Sequence, residues 1–197
     1  MPCTDPELEI PERLTTAAFL LRPILATDAE LDHAAVMESR DYLRTWEQSS
    51  WPEDGFTVAA NRKDLEGLEE RHVDRRAFTY TVLNPDETEC LGCVYLMPTD
   101  ASMFDGARIT AVGNHLWSDY DTAVYFWVRR SALETGTDRV LLDELRAWLA
   151  RDWSLGGHLI VTSEGFTQQV DLIERTDLQL RFEIEESGKP GRYRAYS

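Results

Sequence analysis

Residues 124–149 read V-Y-F-W-V-R-R-S-A-L-E-T-G-T-D-R-V-L-L-D-E-L-R-A-W-L. An apolar run of strand length is followed by a short loop. An amphipathic helix comes next, with Leu141, Leu145, Trp148 and Leu149 at helical spacing. The first turn of such a helix presents N–H groups without intrahelical partners and a partial positive charge, so the junction is suited to an anion. Gly136 permits a close backbone approach there. The same amides also suit an ordinary capped helix, with Thr135 or Thr137 as the cap and Asp138 in the first turn. Both uses remain open on these residues.

Working outward, residues 18–24 read as a strand, and Thr27-Asp28-Ala29-Glu30 as a capping box opening a helix to about Leu43. Pro52 and Gly55 interrupt the next stretch, and a charged helix runs from Thr57 or Val58 to Asp74. Phe78–Val82 and Leu91–Leu96 alternate as strands around the turn Asn84-Pro85-Asp86-Glu87. Residues 98–121 read as an extended connection with weak strand character at Ile109. After the central strand and helix, Gly156-Gly157 leads to a short strand at His158–Thr162 and a helix at Thr167–Thr176. A period-two strand follows at Leu178–Ile184, and a last strand at Tyr193–Tyr196. No repeat or low-complexity linker divides the chain, so 1–197 is expected to be one domain, with 1–16 an N-terminal extension.

The 36 acidic against 20 basic residues give a formal charge of -16, which disfavours nucleic acid and anionic membranes as partners. All basic residues are Arg except Lys63 and Lys189. No run approaches the ~18 apolar residues of a membrane helix, and M-P-C-T-D-P-E-L-E-I lacks the parts of a signal peptide, so a cytoplasmic location is expected. Cys90 and Cys93 form C-L-G-C inside a strand pattern. No second cysteine pair or histidine cluster completes a zinc site, so they are read as buried thiols and no metal is expected; Cys3 is no better placed. His33, His72, His115 and His158 form no spaced pair with a Ser or Cys nucleophile, which removes hydrolase triads.

The strand, loop and helix at 124–149 resemble the acyl-CoA loop of the GNAT acyltransferase superfamily, in which Trp-Val is followed by Arg/Gln-x-x-Gly-x-Gly/Ala. Counted from Val128, the marked positions fall on Leu133, Gly136 and Asp138, of which Gly136 matches. I-P-E-R-L-T-T-A-A-F-L-L-R-P-I at the start, with Pro11-Glu12-Arg13-Leu14 and Leu21-Arg22-Pro23, is similar to members near the ribosomal-protein alanine acetyltransferases. The element order matches over nearly the whole chain. The resemblance implies an α/β fold of the α+β kind: a central mixed, mostly antiparallel sheet of about seven strands flanked by about four helices.

It also implies an N-acetyltransferase that uses acetyl-CoA as co-substrate and passes the acyl group directly to an amine of a small molecule or peptide. A homodimer is compatible with it. The backbone of Phe126, Trp127 and Val128 would hold the pantetheine. Arg129, Arg130, Gly136, Thr137, Asp138 and Arg139 would meet the diphosphate, with the Asp138 carboxylate opposing it. The family's tyrosine acid overlays Ile173 within Leu172-Ile173-Glu174-Arg175-Thr176-Asp177-Leu178, and isoleucine donates no proton. Asp121, Ser163 and Glu164 are the catalytic candidates in its stead, each equally a turn or cap residue. The loop over the acceptor cleft offers Trp46, Glu47, Trp51, Glu53 and Asp54, which suit a cationic amine by charge and cation–π attraction. The loss of the second loop glycine and of the tyrosine motivates the alternative, a catalytically degenerate GNAT-like binding module.

Overall fold

The structure, a computed structural model, describes residues 9–197. Its centre is one nine-stranded sheet in the order β1-β2-β3-β4-β6-β7-β9-β8-β5. In chain order the strands are β1 (Leu14–Thr15), β2 (Leu20–Pro23), β3 (Phe78–Leu83), β4 (Cys90–Pro98), β5 (Arg108–Ala111), β6 (Tyr120–Val128), β7 (Gly157–Ser163), β8 (Leu180–Glu185) and β9 (Tyr193–Tyr196). The helices are α1 (Ala29–Glu38), α2 (Arg40–Glu47), α3 (Val58–Val73), α4 (Arg130–Leu133), α5 (Thr137–Asp152) and α6 (Thr167–Glu174). All neighbouring strands are antiparallel except β6 and β7.

Period-two alternation builds two cores, one on each face of the sheet. Phe78, Tyr80 and Val82 of β3, with Val124, Phe126 and Val128 of β6, pack against Leu141, Leu145 and Trp148 of α5. Cys93 of β4 and Ala123, Tyr125 and Trp127 of β6 face the other way, among residues of α1, α2 and α3.

Several expectations are corrected. The sheet has nine strands and the chain six α-helices, because β1 forms inside the expected N-terminal extension and β5 pairs with the far edge strand β8. Cys3 lies outside the described residues. The helix expected to reach Leu43 breaks at Ser39. The Ser39 hydroxyl accepts from the distant Arg130 N–H at 3.0 Å, and α2 begins afresh. Thr27 caps nothing. Asp28 receives the Leu25 N–H at 3.3 Å and binds Arg22 in a fork of two 2.8 Å bonds. Thr57 does cap α3, accepting from Ala60 N–H at 3.1 Å. At α5 neither Thr135 nor Thr137 is the cap; Gly136, at φ 74°, opens the helix. No described helix is long and apolar enough to cross a membrane.

Candidate active site

The parallel strands β6 and β7 stop pairing after Val124 opposite Ile160, while each stays bonded to its outer neighbour as far as Val128 and Ser163. The sheet therefore forks at Tyr125 and Val161. Splayed strands leave backbone groups that need partners, and here side chains supply them. Gln169 of α6 donates to Phe126 O at 3.0 Å and accepts from Thr162 Oγ1 at 2.6 Å. The Tyr42 hydroxyl of α2 donates to Val128 O, and its ring stacks on Phe166 at 5.1 Å. Burial holds the Tyr42 phenol well above its ordinary range.

The loop beyond β6 is likewise filled from within. Arg130 N–H goes to Ser39, and Ser131 N–H to Glu38 Oε1 at 2.9 Å. Arg129 grips the same Glu38 carboxylate at 2.5 Å and Glu89 at 2.7 Å. The Arg129 hydrogen bond holds the Glu38 carboxyl down to about 2. Glu38 is thus an anion held at Arg129, one of the six residues that the resemblance assigns to the diphosphate. In the first turn of α5, Asp138 accepts from Arg139 N–H at 2.9 Å and from Gln168 of α6 at 2.8 Å. The Arg130 and Arg139 side chains are exposed beside this junction.

On the sheet face covered by α1, α2 and α3, beside Tyr125 where β6 leaves β7, lies a cavity of about 430 Å³. Its walls include Trp46, Trp51, Tyr95, Tyr125 and Tyr193, and its polar edge is Glu47, Glu186 and Lys189. Trp46 meets Tyr125 edge-on at 6.5 Å, and Tyr125 meets Tyr193 at 6.3 Å. Glu47 and Lys189 are paired at 2.7 Å, and the Glu47 carbonyl accepts from Tyr193 at 2.8 Å. Three polar atoms here are buried without a partner: Trp46 Nε1, the Tyr125 hydroxyl and Glu186 Oε1. Burial raises the Glu186 carboxyl to about 6.

The sequence candidates divide accordingly. Trp46, Glu47 and Trp51 meet at the cavity. Glu53 is exposed, and Asp54 points outward to Arg40 and Arg44 with its side chain 81% exposed, so neither lines the cavity. Asp121 stands at the start of β6 against Gly156, four residues and roughly 13 Å of strand from Tyr125, which separates it from the fork. Ser163 and Glu164 line a neighbouring cleft with Gln48 and Gly191, where Glu164 is paired with Arg192 at 3.1 Å. Ile173, at the position of the family's tyrosine, is fully buried in the α5-side core.

Glu186, Lys189, Tyr125 and Tyr193 were not among the sequence candidates. The only sign of them was the turn Ser187-Gly188-Lys189-Pro190-Gly191, which has charges on either side of its first glycine. Glu38, Tyr42 and Gln169 gave no sign, since each acts on a residue far along the chain.

No family model and no curated protein sequence matches this chain. Solved structures do. A ribosomal L7/L12 alpha-N-protein acetyltransferase in complex with coenzyme A superposes with a TM-score of 0.67 at 16% identity, over 94% of this chain and 96% of its own. The ribosomal-protein-S5-alanine acetyltransferase from Vibrio fischeri gives 0.66 at 15% identity, over 93% and 94%. A putative GnaT-family acetyltransferase from Bordetella pertussis gives 0.61 at 14%, over 94% and 98%. The fold is therefore the GNAT fold, as the sequence resemblance implied.

Proposed function

We propose that this chain is an N-acetyltransferase that uses acetyl-CoA and accepts an amine, of a small molecule or a peptide, in the aromatic cavity. One observation carries the reading: Glu186, with its Oε1 buried and without a hydrogen-bond partner, lines the same cavity as Tyr125, the first β6 residue past the pairing with β7. An alkylammonium ion entering the cavity gains cation–π attraction from Trp46, Tyr125 and Tyr193. It reacts only after losing a proton. With its pKa at about 6, Glu186 is mostly ionised at neutral pH yet basic enough to take that proton at Oε1. Tyr125 and Trp46 keep free donors to orient a polar group on the acceptor.

The coenzyme fits this chain where Glu38 sits. Its carboxylate stands in for a phosphate, held by the Arg129 guanidinium and the Ser131 N–H, and Gly136 keeps the next turn free of a Cβ. Exchange of Glu38 for a diphosphate trades one anion for another at Arg129 and the Ser131 N–H. Bound acetyl-CoA supplies the thioester carbonyl. The chain supplies the fork, the anion site, the aromatic walls and the Glu186 base.

A second reading, a GNAT-fold binding module without turnover, is favoured by the side chains of Gln169 and Tyr42, which already bond Phe126 O and Val128 O. Calorimetric titration with coenzyme A, followed by thiol release from acetyl-CoA over a panel of amines at pH 6–9, separates the two. Heat and thiol release support the enzyme. Absence of heat at millimolar coenzyme overturns it.

A further inference from the structure

The core on the α1, α2 and α3 side of the sheet holds a second chemical cluster, on α1 and β4, independent of the fork. Cys90 and Cys93 are three residues apart in β4, a spacing that in a regular strand sends side chains to opposite faces. A bulge prevents that. Leu83 pairs with Cys90 and Val82 with Gly92, so Leu91 is extra and both thiols turn to the α1 side. Gly92 is required for this path: at φ 153° it approaches Trp127 O so closely that a Cβ would lie 2.0 Å from it. The carboxylate of Asp32, from the middle of α1, meets the two thiols, its Oδ1 3.5 Å from Cys93 Sγ and 3.8 Å from Cys90 Sγ. Its other oxygen accepts from Asn61 Nδ2 of α3 at 2.9 Å.

All three residues are at most 3% exposed. Thiols are weak donors, and the charged neighbour acting on Asp32 is another carboxylate, Asp28, not a cation. A buried carboxylate so placed is costly without a compensating positive charge. A divalent ion would provide it. With bonds of about 2.3 Å to sulfur and about 2.0 Å to oxygen, a tetrahedral zinc sets its ligand atoms about 3.5 Å apart for a sulfur–oxygen pair and about 3.8 Å for two sulfurs. The ligand atoms here already lie within 4.8 Å of one another, with the sulfur–oxygen separations at 3.5 and 3.8 Å.

We propose that Asp32, Cys90 and Cys93 form a buried site for a thiophilic divalent cation of the zinc type, tying α1 to β4. Asn61 is the positioning residue that aims Oδ1 at the thiols. Binding replaces the two S–H protons, which leave to solvent, and forms two metal–thiolate bonds and one metal–carboxylate bond. The fourth position faces the Tyr95 hydroxyl or a water. That hydroxyl accepts from Trp127 Nε1 at 3.1 Å and lies against Cys93. Tyr95 also lines the aromatic cavity, so it stands between the cluster and that cavity.

The full chain, purified under reducing conditions after growth with added zinc, is expected to carry one zinc per chain by elemental analysis. The metal-free chain with cobalt(II) is expected to show near-ultraviolet thiolate charge-transfer absorption and the intense visible bands of a tetrahedral ion. Asp32→Asn and Cys93→Ser should each lower zinc content, and a chelator should lower the melting temperature of the parent but not of Cys93→Ser. Zinc far below one per chain together with a cobalt spectrum lacking thiolate bands overturns the site. Because that result is read on the unaltered chain, it stands even if a variant fails to fold.

Discussion

The cavity beside Tyr125 and the loop beyond Val128 both adjoin the stretch of β6 that has left β7, and they treat their polar groups in opposite ways. At the cavity, Trp46 Nε1, the Tyr125 hydroxyl and Glu186 Oε1 are buried with nothing to bond. At the end of β6 and the loop beyond it, Phe126 O, Val128 O, Arg130 N–H and Ser131 N–H are each matched by a side chain of α1, α2 or α6 or by that of Ser39, between α1 and α2. An unmatched buried group costs roughly 1–3 kcal/mol, which a ligand relieves on entry. A matched group must first lose its partner, so a ligand gains only the difference. The acceptor side is thus poised to bind, and the coenzyme side binds by exchange.

The sharpest way to break this contrast is Glu186→Gln. On the enzyme reading it should lower kcat by about 100-fold or more and abolish the rise of rate with pH through about 6. Unfolding midpoints at neutral pH should rise rather than fall, since the change removes a charge that burial disfavours and no hydrogen bond. An unaltered pH–rate profile would move the base elsewhere. On stability the sign is opposite to that of a paired carboxylate. Because folding raises this pKa above its ordinary 4.5, the contribution of Glu186 is fully present below pH 4.5 and is lost as pH rises through about 6.

Next in size is Glu38→Gln, which empties the anion site of its resident charge. Calorimetry should then find coenzyme A bound about tenfold tighter, or about 1.4 kcal/mol. No change would show that the loop and the ligand do not compete. The parent's Glu38 pKa is lowered to about 2, so its stabilising pair with Arg129 is intact above pH 4.5 and lost as pH falls toward 2. The difference in urea midpoint between parent and variant should shrink over that window.

Asp138→Gly should tighten the coenzyme by about 1 kcal/mol, by removing one negative charge from the first turn of α5. Gln168 holds that carboxylate at the helix end, so Gln168→Ala alone should produce part of the same gain. The smallest expectation is for Glu53→Gln with Asp54→Asn. These groups face solvent and Arg40 and Arg44, so acceptor KM and melting temperature should stay where they were. A raised KM would bring the overhanging loop back into the acceptor site.

The period-two runs at Phe78–Val82, Leu91–Leu96 and Val124–Val128 and the helical stripe at Leu141–Leu149 made the sheet and α5 legible in the sequence. Their hydrogen bonding and burial repeat locally, every two or 3.6 residues. The same locality made the start of α3 at Thr57 or Val58 readable. It failed at Ser39, where no Gly or Pro marks the break and the cause is an amide 91 residues away. It failed again for Asp54, whose loop position matched the cleft while Arg40 and Arg44 hold it outward.

The sequence by itself determined which segments become strands and helices, and hence the fold, because those choices depend on neighbours along the chain. Only the tertiary structure decided that Glu186 and Tyr125 share a cavity, that Glu38 fills the loop beyond β6, and that Asp32 reaches a cysteine pair 58 and 61 residues away. Such meetings depend on how packed elements bring distant side chains into one buried volume. A carboxylate or thiol has its particular chemistry there because of what surrounds it, and no spacing in the chain records that.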